Sequence, residues 1–543
     1  MSASMIDTTG PSTVLVQSGV RDRLTPTERR GDSRAAGGTV VDLETDPRGG
    51  LVVRLRSTAE VSRVVLRWDT PMPEQLLVLG DAWERSYGEL AWQHLQADRL
   101  LPWYWTGWDA VSGATVGAGV DVGASAFCAW TVDREGVTLW LDVRNGGSPL
   151  QLSDRRIELA TIRSVSAGVD RPVSRVQRDL VEAMATPIPV PNCPPLVGAN
   201  NWYYAYGVGF DRAAVLGDAR TVVELSDGHP VRPYSVIDAG WTPGGDAPGG
   251  PWDAGKPGVF DDMAELADEI KAAGARPGLW CRPLLSRDEA DRKWELSRAA
   301  GSAEVALDPS RPEVLDRVAE DISRFRDWGY ELIKHDFSSY DLFGRFGPAM
   351  GLELTDPGWC FADRSRTSAE IIKDFYAVVR DASGPAAVLG CNVVGHLAAG
   401  LVDAQRIGDD TSGHHWERTR RMGINTLAHR LPQHRRFFTV DADCVPCTTQ
   451  VPWRLHRQFL DLVARSGTAL FVSVDPKART DETDRDLAAA LKIALDGGAG
   501  GGDPDAVEPL DALYATTPAD WRFGDTTINY TWADVAGGWP FRT

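Results

Sequence analysis

Residues 331–341 read ELIKHDFSSYD and place a lysine and an aspartate two positions apart at the end of an apolar run. In an extended strand, positions i and i+2 share a face, so Lys334 and Asp336 project together. Charges on an inner face are costly unless they are paired or used. A second stretch, RIGDDTSG (406–413), sets Arg406 four residues before Asp410, with Asp409 beside it. Two carboxylates about 5–5.5 Å apart are what retaining glycosidic cleavage needs, one as nucleophile and one as general acid/base. Lys334 on the face of Asp336 would hold it ionised, since a nearby cation lowers an Asp pKa by roughly 1–3 units. The second carboxyl must keep its proton. A neighbouring charge such as Asp409 favours that, while Arg406 opposes it and would orient Asp410 instead.

These residues need a frame that brings them to one place. From about residue 200 the chain alternates strand-like and helix-like segments. The strand candidates are 200–207, 234–241, 276–284, 330–337, 386–392, 404–410, 436–444 and 468–476. Helical patterns separate most of them, at 260–274, 313–329 and 368–383, with acidic residues first and glycine or small residues last. Only the connection between the fifth and sixth strands is too short for an obvious helix. Eight strands with helices between them predict a (β/α)8 barrel, an α/β fold. An open doubly wound sheet is the competing arrangement, but no glycine-rich nucleotide loop follows the first strand. In a barrel the chemistry gathers where the strands end. Those ends carry Trp202, Asp238 with Trp241, Trp280 with Arg282, Lys334 with Asp336, Cys391, Arg406 with Asp409 and Asp410, and Asp441 with Asp443.

The first ~190 residues have a different grammar. LVVRLRS (51–57), RVVLRW (63–68), GVTLWLDVRN (136–145) and RRIELATI (155–162) predict antiparallel strands of a β-sandwich, with no long amphipathic helix among them. The five prolines of TPIPVPNCPPLVG (186–198) read as a linker. After residue 476 a helix, a glycine-rich turn and TTINYTW (526–532) read as a small C-terminal β module. The predicted domains are therefore 1–190, 191–476 and 477–543.

Composition narrows the partners. A formal charge of −19 argues against nucleic acid and against an anionic membrane surface. No apolar run approaches the ~20 residues of a membrane helix, and the first residues lack a basic start followed by an apolar core. The expected compartment is cytoplasmic. Seven cysteines do not make a disulfide framework, and Cys444 with Cys447 form one C-x-x-C without the second pair of a zinc site. The histidines form no metal-ligand pattern, so neither metal nor cofactor is implied.

Five stretches in order, NNWYYAYG, VIDAGW, FDDMAELADEIKAAGARPGLWCRP, YELIKHDF and RIGDDTSG, resemble the catalytic barrel of the α-galactosidase clan, which includes melibiases and raffinose synthases. GDAWERSYGEL (80–90) looks like the N-terminal sandwich of the larger bacterial members. The resemblance implies that Asp336 is the nucleophile and Asp410 the acid/base, with Asp409 the competing choice. It implies that Lys334 and Asp238 hold sugar hydroxyls, that Trp202, Trp241 and Trp280 wall the pocket, and that Cys391 and Arg406 line it. It also implies a small glycoside or oligosaccharide substrate and a homo-oligomer, with LPWYWTGW (101–108) as a loop that could enter a neighbour's site. One departure bears on the sugar. Clan members acting on α-galactose commonly show two consecutive aspartates where this chain has Asp238 and then Ala239. The lost carboxylate removes charge-assisted hydrogen bonds and leaves a β-L-arabinopyranoside open beside a galactoside. A transglycosylase of raffinose-synthase type, a lyase using Lys334 as Schiff base, and a sugar-binding protein without turnover are the other readings.

Each residue also has a plainer explanation. Lys334 and Asp336 could be a buried ion pair, and Asp409 or Asp410 could cap the following helix. The tryptophans and Cys391 could be core.

Overall fold

The computed structural model describes residues 10–189, 194–245 and 249–533. Part of the proline-rich linker, 190–193, and the end of the C-terminal module, 534–543, lie outside the described residues.

Alternating apolar positions in the first part of the chain pair into two antiparallel sheets, one of six strands and one of nine. Leu51–Ser57 and Arg63–Trp68 form over the spans predicted. The sandwich core is aromatic, with Trp103, Trp105 and Trp130 fully buried. Trp103 also stacks on His396 of the barrel at 4.4 Å, so LPWYWTGW is spent on the core and on the domain junction. It is not a loop free to enter a neighbour.

The sequence reading missed a helix here. Val173–Ala185 buries Val176, Leu180, Val181 and Met184 against the strands Thr115–Val120 and Arg156–Ala167. Gly119 makes the approach possible, because a Cβ there would stand 2.4 Å from the Met184 sulfur. The amphipathic spacing was legible; the face it needed was not.

The barrel strands are short and, apart from half-buried Arg276, buried along their whole length: Val197–Asn200, Tyr234–Ile237, Arg276–Cys281, Leu332–His335, Ala387–Gly390, Ala404–Arg406, Thr439–Asp441 and Leu470–Val474. Consecutive strands pair in parallel from the first to the seventh. The seventh continues as Val445–Cys447, which pairs with the eighth, and the eighth pairs with the first. The ring is closed, as predicted for a (β/α)8 barrel.

Strand one corrects the sequence reading. It is Val197–Asn200, in the supposed end of the linker, and NWYYA turns instead through a helical turn at Trp202–Ala205. Three aromatics in four residues favour a strand by propensity. The Asn201 carboxamide oxygen, accepting from the Asp238 backbone N–H at 2.9 Å, pins the turn instead.

The outer helices start where side chains satisfy free backbone N–H groups. Asp211 caps Arg212–Leu225, Asp262 caps Met263–Ala272, and Thr367 with Glu370 form a capping box on Ser368–Ser383. Pro312 opens the helix to Asp327. Between strands five and six only one turn forms, Gly395–Ala398. Asp481–Leu495, which the sequence groups with the C-terminal module, packs on the helices Trp453–Ser466 and Arg212–Leu225 and completes the outer ring. Beyond it lies a three-stranded antiparallel sheet. Among the described residues no helix is long and apolar enough to cross a membrane.

Candidate active site

The strands end sooner than their apolar runs suggest. Asp238 and Asp336 therefore sit on the first residues of the loops that follow strands two and four, and Asp410 on the fourth residue after strand six.

Asp336 is held by two donors. Its Oδ1 accepts from the backbone N–H of Phe337 at 2.7 Å and its Oδ2 from the Trp280 indole N–H at 3.2 Å. Phe337 has φ of 61°, a left-handed conformation that turns the chain sharply behind the carboxylate. The sequence reading paired Lys334 with Asp336. The structure pairs it with Asp238, Nζ to Oδ2 at 2.7 Å, and the Asn200 amide donates to the same oxygen at 2.7 Å. Burial disfavours the charged ammonium, but Asp238, with Asp336, outweighs it, and the pKa lies well above the usual value. The amine stays charged.

Asp410 has a different setting. Its Oδ1 meets Arg406 Nη2 at 2.8 Å and Arg85 Nη1 at 3.5 Å. Burial pushes the carboxyl up, but Arg406, Arg85 and Lys334 outweigh it, and the pKa falls below the ordinary aspartate value. The expected lift from Asp409 is absent. That carboxylate is occupied by Arg85 at 3.0 Å and Arg418 at 2.6 Å. Neither aspartate caps the next helix, which starts at Trp416 after His415.

Arg406 is the hub on this side. Almost wholly buried, it contacts Asp410, the Asp443 carboxylate at 2.8 Å, the Tyr203 hydroxyl at 3.3 Å and the Cys391 sulfur at 3.9 Å. Asp443 in turn accepts from the Tyr203 hydroxyl and from the Thr411 N–H at 2.7 Å. Burial raises the Cys391 thiol well above its usual value, so it is no thiolate, and it senses Asp336, Arg406, Lys334 and Arg85 together. Groups from strands four and six and from the sandwich thus lie around this thiol. Asp441, behind them, is raised by burial to about 6.

Of the remaining candidates, Trp280 and half-buried Trp202 stand at the mouth. Trp241 does not. It is fully buried, its indole N–H donates to the Trp280 carbonyl at 2.9 Å, and its ring packs on Trp252, Phe325 and Trp328. This is helix-facing core, not a pocket wall. Cys444 and Cys447 are free, buried thiols.

Sequence reasoning missed Arg85. It lies in GDAWERSYGEL, whose backbone is tied to the loop after strand six: Ser86 N–H donates to the Ile407 carbonyl at 2.8 Å, and Asp409 N–H returns to Ser86 at 2.8 Å. Glu84 is buried beneath it, accepting from Ser339 and Asn392 at 2.5 Å each. The motif was visible, but nothing in it says which side chain crosses to the barrel. Among the described residues no cluster of His, Cys, Asp or Glu is arranged to hold a metal ion. The site as built offers one carboxylate fixed by neutral donors, one between two guanidiniums, and an ion pair suited to hydroxyl groups.

No protein-family model matches the chain. Its structure is similar to that of TtGalA, an alpha-galactosidase from Thermus thermophilus solved with p-nitrophenyl alpha-D-galactopyranoside. The TM-score is 0.60 at 20% identity, over 91% of this chain and 97% of that one. The galactosidase domain of the alpha-galactosidase-sucrose kinase AgaSK gives 0.60 at 14% identity, over 93% and 74%. The GH36 alpha-galactosidase AgaA from Geobacillus stearothermophilus, in a variant bound to stachyose, gives 0.55 at 14% identity, over 90% and 73%. What these proteins share with the chain is the fold, sandwich and barrel together.

Proposed function

We propose that the protein is a retaining glycoside hydrolase acting on small α-galactoside-like glycosides. The observation that carries this reading is the convergence of Asp336 and Asp410 on one barrel mouth in unlike settings, one between N–H donors and one between guanidiniums. The likeness to proteins solved with an α-galactoside and with stachyose supplies the sugar class.

Asp336 attacks the anomeric carbon, and the glycosidic bond breaks with its electron pair passing to the leaving oxygen. That oxygen takes the proton of Asp410. The Asp410 carboxylate then accepts a proton from water, which attacks the anomeric carbon and frees Asp336. Asp410 must carry a proton when substrate is bound, yet its two cations favour the ionised form. Arg85 also holds Asp409, so a leaving group entering between Arg85 and Asp410 would remove one cation and raise the proton affinity of Asp410. Lys334, paired with Asp238, is a hydroxyl ligand in this scheme. Its held charge counts against a Schiff base, which needs the free amine.

Ala239 favours a second sugar. It is buried beside Asp238, to which its N–H donates at 2.9 Å, and offers no carboxylate for a C6 hydroxymethyl. A β-L-arabinopyranoside lacks that group. Nitrophenyl α-galactoside, α-N-acetylgalactosaminide and β-L-arabinopyranoside decide the matter. Cleavage of the galactoside supports the first reading, preference for the arabinopyranoside the second, and cleavage of none removes both. Products formed with added acceptor sugars would reveal transfer in place of hydrolysis. A homo-oligomer and a cytoplasmic location belong to this proposal; light scattering tests the first.

A further inference from the structure

A rim of aromatic rings stands next to Asp410 and has no part in the scheme above. Arg406, which binds Asp410, also reaches the Tyr203 hydroxyl; the Tyr203 ring meets Tyr206 edge-on at 6.2 Å. Tyr206 stacks on His414 with centroids 4.8 Å apart and planes 20° from parallel. Trp202 flanks Tyr206 at 5.8 Å. Tyr206 and Trp202 are half-buried, and His414, four residues after Asp410, is exposed. His414 thus forms the solvent-side end of the stack, with the His415 ring 6.4 Å away and tilted by 59°.

The exposed ring is firmly held. Gly413 passes so close to the first loop that a Cβ there would stand 2.2 Å from the Tyr203 carbonyl oxygen. Its N–H donates to the Tyr206 hydroxyl at 3.1 Å, and Thr448 donates to its carbonyl at 2.5 Å. Ser412 Oγ accepts the N–H groups of His414 and His415 at 3.1 Å each, and His414 Nδ1 meets Gln450. An exposed ring on a backbone fixed by this many bonds, and itself tied to Gln450, fills no core. It is pre-ordered to receive a flat apolar face at little entropic cost.

We infer that His414, backed by Tyr206 and flanked by Trp202, is a stacking platform for the ring of the leaving group, either a pyranose or an aryl ring. The inference rests on the hydrolase reading, because it places the leaving group beside Asp410. The test compares a glycosyl fluoride, whose leaving group has no ring, with a nitrophenyl glycoside and a disaccharide of the same sugar. His414→Ala should lower kcat/KM about five- to tenfold for the ring-bearing substrates, the scale of an aromatic contact. It should leave the fluoride unchanged, and His414→Phe should restore the loss. A fall confined to the nitrophenyl substrate assigns an aryl ring, and one confined to the disaccharide a sugar. An equal fall on the fluoride, or no fall on either ring, overturns the platform. If the wild type cleaves nothing, the hydrolase reading fails separately, and calorimetry of the disaccharide with Asp336→Ala decides. There, weaker binding on adding His414→Ala upholds the platform; equal binding, or none, overturns it.

Discussion

On the side of strands one to four, the charged groups are satisfied inside the barrel. Asn200, Asp238 and Lys334, from strands one, two and four, close on one another, and Asp336 is fixed by N–H groups of its own loop and of Trp280. On the side of strands six and seven they are not. Asp410 shares Arg406 with Asp443 and takes a second cation, Arg85, from the sandwich more than 300 residues earlier in the chain. The first side is a self-contained device, whereas the second is complete only when the sandwich docks on the barrel. The proton affinity of the proposed acid therefore depends on domain packing, through Arg85, as well as on Arg406 of the barrel.

Four substitutions would sharpen or break this contrast. The largest effect belongs to Asp336→Ala, which should cut kcat/KM by about a thousandfold or more and yield a glycosyl azide when azide is added. Asp410→Ala should lose least on substrates with good leaving groups. An azide product of inverted anomeric configuration from the Asp410 variant, with a retained one from the Asp336 variant, would reverse the two roles. Next, Asp238→Ala strands the buried Lys334 ammonium, and the fold should lose about 3–5 kcal/mol in denaturant titration. A variant as stable as the wild type would mean that the pair is not the closed unit described. The smallest is Arg85→Gln. Asp409 keeps Arg418 and Asp410 keeps Arg406, so stability should change little. Removing a cation raises the Asp410 pKa, and kcat/KM falls as pH rises through the pKa of the acid. The alkaline limb should therefore move up by about one unit. A limb that stays put or moves down would show that the sandwich does not tune Asp410.

The same contrast explains what could be read in advance. Strands such as Leu51–Ser57 and helices such as Ser368–Ser383 match their predicted spans because periodicity and caps are local. Trp241 was misplaced because its spacing beside Asp238 cannot say whether an indole faces the mouth or the helices; Phe325 and Trp328 decide that. NNWYYAYG was misread as a strand because its propensity yields to a hydrogen bond from Asp238. Lys334 and Asp336 were rightly set near one another, but the partner of Lys334 comes from another strand.

Local sequence was enough for the alternation of strands and helices, the α/β barrel behind a β-sandwich, and the strand ends near which Asp238, Asp336 and Asp410 lie. These follow from hydrophobic period, turn residues and caps, all of which act over a few residues. Which charge meets which depends on contacts between parts of the chain far apart in sequence. Ring closure sets Lys334 against Asp238, and domain docking brings Arg85 to Asp410. Coulomb and hydrogen-bond energies depend on distance in space, which separation along the chain does not give.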